Sequence, residues 1–265
     1  MESILDVKVI VSLAAVFITC CVLLLLRRNQ HAAHSVSRGG KLANAKGLKS
    51  QKSIVVAGPS HSGKTTLFTR LTTESFRSCV LSQEPSIKHD YLPGHTNLLE
   101  FPGHVKLRYK LFDFLKGNKN VKGVVYVVDS TVDLKELTNT AEFLVDVLNV
   151  TENSNPAIDV LIACNKFDFF TARPPAKIKQ AIEREIGHII TRKKKSLNEV
   201  KKNGNSEDVD GGDSDDEEDS LPLFSQVQYS GSFNFEQLEG TVEFISGSAM
   251  KNKVDGWCDW MSELS

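Results

Sequence analysis

Residues 58–66 read GPSHSGKTT, and Gly58, Gly63, Lys64 and Thr65 match the spacing G-x-x-x-x-G-K-[ST]. A loop of that pattern can close around a phosphate. Its backbone N–H groups must turn inward together, which needs glycine conformations, and the helix that follows must aim its positive end at the anion. Lys64 is placed to reach the β- and γ-phosphate oxygens of a nucleotide, and the Thr65 hydroxyl to ligate Mg²⁺. Ser62 and Thr66 add polar contacts where loop becomes helix. Pro59, Ser60 and His61 fill the variable positions, with His61 expected to be exposed rather than catalytic.

A second group is Asn165, Lys166 and Asp168 in CNKFD. A carboxylate at 168 can accept two hydrogen bonds, from guanine N1–H and N2–H₂, where adenine offers no such pair of donors. Lys166 would lie along the base plane and Asn165 would brace the loop. Farther on, SGSA puts Ser248 and Ala249 where a small-residue turn can offer a backbone N–H to guanine O6. Between the two sites lies EFPGH, with Glu100, Pro102, Gly103 and His104. In GTP-binding proteins a strand-end carboxylate holds Mg²⁺ through water and a glycine N–H meets the γ-phosphate. Glu100 stands where aspartate is usual, and its longer arm changes that metal geometry. Asp113, Asp129 and Asp133 are further acids nearby, Asp129 at the end of an apolar run.

The elements that must hold these groups are legible from apolar patterning. SIVVAG (53–58) is a buried strand feeding a helix over 64–76, with Leu67, Phe68 and Leu71 on one face. VLS (80–82), HTNLLEF (95–101) and KLRYKLF (106–112) read as strands or strand edges. VKGVVYVVDS (121–130) is β-branched without polar alternation, as expected for a strand covered on both faces. A 3.6-residue period follows over 134–150, then another apolar strand (157–168), a helix (175–194), a strand (241–249) and a last helix (253–264) carrying Trp257, Trp260 and Met261. Strands alternating with helices imply an α/β fold, a mostly parallel sheet with helices on both faces. Residues 204–220 are too acidic and too poor in apolar side chains to order, so an insertion over 196–222 should be disordered and solvated.

The amino-terminal stretch has a different character. Val9 to Leu26 is 18 residues without a charge, about 27 Å as a helix, enough for a thin bilayer. A cleaved leader would need a clearly basic segment before it, whereas Glu2 and Asp6 stand there beside Lys8, and no convincing small-x-small site follows. Arg27, Arg28, Arg38, Lys41, Lys46, Lys49 and Lys52 come afterwards, so residues 1–8 should be lumenal and everything after 27 cytosolic. Residues 27–51 read as a flexible tether and 52–265 as the folded domain. Cys20 and Cys21, close to the cytosolic end, are apolar filler before they are acylation sites. Five cysteines at scattered spacing, with no CxxC, fit neither a disulfide framework nor a zinc site. His31 and His34 have no further ligands near them. The net charge of -1 hides basic and acidic blocks and gives no reason to expect a nucleic-acid partner.

Taken together, the anchor, GPSHSGKT, FPGH, NKFD and SGSA make residues 53–265 resemble the signal recognition particle receptor beta-subunit family, fungal members above all. These are membrane-anchored relatives of the Arf and Sar small GTPases. The resemblance implies a P-loop NTPase G domain that binds GTP or GDP with Mg²⁺ at the endoplasmic reticulum membrane. It also implies a heterodimer with the amino-terminal domain of the receptor's alpha subunit, the translocon or ribosome being further candidate contacts. The first switch should span Ser82 to Tyr91, where the threonine expected over Mg²⁺ is missing and Ser86 or Ser82 substitutes. His104 follows the FPG turn in the place of the glutamine that orients water in Ras-like enzymes, so hydrolysis should be slow and the γ-phosphate should act chiefly to order the switches. Two alternatives use the same residues: an anchored Arf/Sar-like trafficking GTPase, and a non-catalytic anchor that keeps nucleotide as a structural part.

Overall fold

A computed structural model describes residues 51–73, 82–203 and 233–264. The expected anchor, tether and acidic tract lie outside the described residues, as do Cys20, Cys21, His31 and His34. Among the described residues no helix is long and apolar enough to cross a membrane.

Six strands form one sheet in the order β2-β3-β1-β4-β5-β6. They are β1 Ser53–Ala57, β2 Ser86–Leu92, β3 Thr96–Glu100, β4 Val121–Asp129, β5 Asp159–Asn165 and β6 Val242–Ser246. All neighbours run parallel except β2 against β3. The helices are α1 Lys64–Thr73, α2 Tyr109–Gly117, α3 Leu134–Glu152, α4 Pro175–Asn203 and α5 Asp255–Glu263.

Register explains the unbroken apolar runs. Leu99, Val55, Val124 and Val160 stand in one row across four strands and face the core formed with α2, α3 and α4. The next row, Val56, Val125 and Leu161, faces the opposite core with α1 and α5. Because side chains alternate across a pleated sheet, a strand covered on both sides must be apolar at every step. The second core is filled by Leu67 and Phe68 of α1 and by Trp257, Trp260 and Met261 of α5. Trp257 also donates from its indole nitrogen to the Ile245 carbonyl at 3.0 Å, which fixes α5 against β6.

Three expected boundaries differ from the structure. Residues 106–112 are not a strand: Val105–Leu107 is one 3₁₀ turn and Tyr109–Gly117 is α2. Leu111, Phe114 and Leu115, spaced as i, i+3 and i+4, are the buried side chains, and this helical face becomes visible only beyond residue 112. Most of the expected first switch is strand, since Ser86–Leu92 pairs with β3 as the sheet edge, and only 82–85 is irregular. Its charged residues Lys88 and Asp90 suit an edge, where they oppose pairing with another chain. The helix expected to stop at 194 continues to Asn203, so 196–203 is helical and not part of a disordered insertion. The run KKKSLNEVKKN has strong helix formers and meets no glycine before Gly204.

Candidate functional site

The loop between β1 and α1 has three left-handed positions, Gly58, His61 and Gly63, with φ of 136°, 64° and 92°. His61 is exposed, as the sequence suggested. A Cβ on Gly63 would stand 2.3 Å from Asn165 Nδ2, so this position takes only glycine. The turn after β3 rests directly on the loop, where a Cβ on Gly103 would meet the Gly58 carbonyl oxygen at 2.5 Å and Lys64 Nζ at 2.6 Å. Gly103 is thereby brought against the first residue of the loop and the side chain of the first residue of α1. Lys64 is buried and its Nζ donates to the Pro59 carbonyl at 2.6 Å. Burial lowers its pKa to about 8, with Glu100 pulling the other way and Arg108 adding to the fall.

Glu100 ends β3 with no exposure at all. Thr65 Oγ1 donates to its Oε1 at 2.5 Å, and Ser82 Oγ donates to the same oxygen at 3.1 Å while lying 3.0 Å from Thr65. The second carboxylate oxygen has no hydrogen-bond partner, nor does the buried Ser62 hydroxyl in the loop. Burial raises the Glu100 pKa against the hydrogen bond from Thr65, the charge of Lys64 and the hydroxyls of Ser82 and Ser86. Sequence reasoning put Ser86 first; Ser86 pairs with Glu100 across the strands, but it is Ser82 that also touches Thr65. No group of three or more His, Cys, Asp or Glu able to hold a metal exists among the described residues. Two hydroxyls and one carboxylate oxygen nevertheless form the oxygen donor set of a hard divalent cation that takes its other ligands from phosphate and water. The buried, unsatisfied Glu100 oxygen fits such an ion.

At the other end, Asn165 is 3 % exposed and joins two loops. Its Nδ2 donates to the Ser62 carbonyl at 2.8 Å, and its Oδ1 accepts from Ala249 N–H at 3.0 Å. Arg70 of α1 reaches the carbonyls of Ala249 at 3.2 Å and Met250 at 3.0 Å. Lys166, with φ of 62°, places Nζ 2.5 Å from Asp129 Oδ2, and the other Asp129 oxygen accepts from Thr131 N–H and hydroxyl. Asp168 is exposed and accepts from Ser248 Oγ at 2.6 Å. The Ser248 N–H goes to the Lys253 carbonyl and that of Ala249 to Asn165, so a base oxygen would have to share the Ala249 donor with Asn165.

A cavity of about 1210 Å³ runs along the phosphate end, lined by Lys64, Thr65, Ser82, Glu100, Gly103 and Lys166 among others. Ser60, His61, Thr66 and His104 also border it. The exposed His104 caps the 3₁₀ turn, its Nδ1 accepting from Lys106 N–H at 3.2 Å, and this contact turns one ring nitrogen away from catalytic work. Sequence reasoning missed Arg70, whose spacing from the loop carries no motif. It named Asp129 without its partner Lys166. The register of β4 on β5, which sets Asp129 opposite Asn165, could have supplied it.

The family model described as "Signal recognition particle receptor beta subunit" matches residues 49–242, well over half of the chain. The chain belongs to the signal recognition particle receptor beta-subunit family. A member from Saccharomyces cerevisiae, signal recognition particle receptor subunit beta, is 50% identical over 228 residues, covering 84% of this chain and 89% of the relative. The mammalian signal recognition particle receptor structure superposes with a TM-score of 0.61 at 27% identity, over 81% of this chain and 100% of that one. The receptor SRb in its GDP-Mg form from Chaetomium thermophilum gives 0.57 at 25% identity, over 81% of this chain and 100% of that one. In this chain the phosphate-type loop, the oxygen cluster and the Asn165 bridge all lie at the carboxyl ends of interior strands β1, β3 and β5.

Proposed function

We propose that this chain is the guanine-nucleotide-binding switch subunit of a signal recognition particle receptor, holding the alpha subunit at the endoplasmic reticulum membrane for cotranslational targeting. The observation that carries the reading is the Asn165 side chain. It ties the phosphate loop to the β6–α5 loop, with Asp168 fixed beside it by Ser248, so one ligand of nucleotide size can be read at both ends. In this reading Lys64 and the N–H groups of residues 58–66 bind the phosphates. Asp168 selects guanine and Lys166 flanks the base. Thr65 and Ser82 hold Mg²⁺, with Glu100 acting directly or through water. The ion supplies positive charge to the phosphate oxygens. Residues 9–26 form the single membrane span, 1–8 lie in the lumen, and the domain from 52 onward faces the cytosol.

Geometry favours a binding switch over a fast catalyst. At the position where Ras-like enzymes use a glutamine to orient water, the exposed His104 gives one ring nitrogen to Lys106 N–H. That contact also supports a second reading, in which the nucleotide is held without turnover. Both readings are tested on the full chain by identifying the nucleotide that copurifies and by capturing the alpha subunit's amino-terminal domain with GTP or GDP bound. GTP-dependent capture with slow single-turnover hydrolysis is expected. Preference for adenine nucleotides would overturn the assignment.

A further inference from the structure

A second cavity, of about 880 Å³, opens at the pole of the sheet where β4 and β5 begin, opposite the ends that carry the phosphate loop and Asn165. That is within the roughly 300–1,000 Å³ of ordinary small-ligand sites. Phe112 and Leu115 of α2, Val150 of α3 and Ile158 make an apolar stretch in a wall that also carries Asn149, Asn153 and Ser154. Its border carries Lys116, Lys119 and Lys122, all exposed, which make no ion pair among the described residues. The acids there are otherwise engaged. Asp159 accepts from Thr241 N–H at 2.8 Å, and Asp146 has Lys193 and Arg108 as its positive neighbours.

One polar group stands out in this lining. Asn118 is 3 % exposed; its Oδ1 accepts from Asn120 N–H at 3.0 Å, while its Nδ2 has no hydrogen-bond partner. Burying a donor in that state is costly, and an acceptor brought in by a ligand would relieve it. The neighbouring Asn120 carbonyl accepts from Ser53 N–H at 3.0 Å. The chain therefore enters the domain beside this cavity. Residues 41–52 that precede Ser53 carry four lysines, Lys41, Lys46, Lys49 and Lys52, so like charge opposes their occupying a lysine-rimmed cleft.

We propose that this cleft binds an anionic amphiphile: the apolar body lies between α2 and α3, an acceptor meets the Asn118 amide, and a phosphate or carboxylate sits among Lys116, Lys119 and Lys122. The source is an anionic membrane lipid, an assignment that rests on the proposed membrane span over residues 9–26 and on the charge complementarity of the lysine rim. Lysines near such a surface attract acidic lipids.

The full chain in discs of phosphatidylcholine, with and without phosphatidylserine, tests this by native mass spectrometry of the lipid it retains. One phosphatidylserine should stay bound. Retention should fall at least about tenfold in Lys119→Glu/Lys122→Glu, since each lysine near the surface contributes about 1 kcal/mol of attraction, and should also fall in Val150→Trp, whose indole fills the space between α2 and α3. Bound guanine nucleotide, at the opposite pole, should be unchanged and so reports intact folding independently of the lipid. Equal retention of the two lipids, or retention indifferent to both variants, overturns the proposal. Titration with monomeric dihexanoyl phosphatidylserine adds a second arm. Competition with the disc lipid supports the cleft, and binding of the soluble lipid with none retained from discs overturns the membrane source.

Discussion

The two ends of the nucleotide-sized site handle polar groups in opposite ways. At the base end Asn165, Lys166 and Asp168 each have partners within the protein, supplied by Ser62, Ala249, Asp129 and Ser248. At the phosphate end Lys64 and Glu100 are buried, and desolvation displaces both pKa values toward the uncharged form. A preorganised end contributes selectivity because its geometry is fixed before binding. An end that carries charges in a poorly solvating environment contributes affinity, because a ligand of complementary charge relieves them.

Lys64→Met is the substitution that most directly breaks this contrast. It should weaken guanine nucleotide binding by about 10³-fold, as expected for truncating one partner of a buried charged contact, measured by displacement of a fluorescent nucleotide. The contrast also has a pH signature. The Lys64 pKa is about 8 in the folded chain against an ordinary 10.5, so between those values the unfolded chain binds more protons. Stability of the nucleotide-free protein should then rise with pH through that window and be unaffected by this group below it, and Lys64→Met should remove the rise in a denaturant series. Nucleotide affinity should fall across the same window as the ammonium is lost.

Asp168→Asn addresses the other end. It should lower affinity for GTP about 10²-fold through two hydrogen bonds to a charged acceptor, favour a xanthine nucleotide instead, and leave stability nearly unchanged because the side chain is exposed. Asn165→Ala sharpens the comparison in a different way. Removing a buried bridge should cost about 1–3 kcal/mol of stability, seen in urea melts, and speed nucleotide release. Ser82→Ala is the smallest effect: a half-buried hydroxyl worth about 1 kcal/mol should raise the Mg²⁺ concentration needed for tight binding about fivefold, and Ser86→Ala should change it less.

The sheet was legible because strands buried on both faces read as short, β-branched apolar runs between turn residues, as VKGVVYVVDS illustrates. The phosphate loop was legible because its chemistry lives in consecutive residues. Other features depend on contacts between distant segments. Which hydroxyl reaches Glu100 is decided by how 82–85 folds back, and sequence distance favours neither Ser82 nor Ser86. Arg70 reaches a loop 179 residues away. The seven residues at 106–112 fit an alternating pattern as well as a helical one, and only Phe114 and Leu115 tip the balance. The acidic tract 204–220 set the expected start of the insertion too early, while the helix propensity of KKKSLNEVKKN carries α4 to Asn203.

The chain has two tryptophans, and both are in α5, beneath the side of the sheet that α1 also covers. Intrinsic ultraviolet emission is therefore a one-sided optical probe. It will register loosening of the carboxyl-terminal helix and stay silent to rearrangement of the three helices across the sheet, for which a reporter must be introduced on that flank.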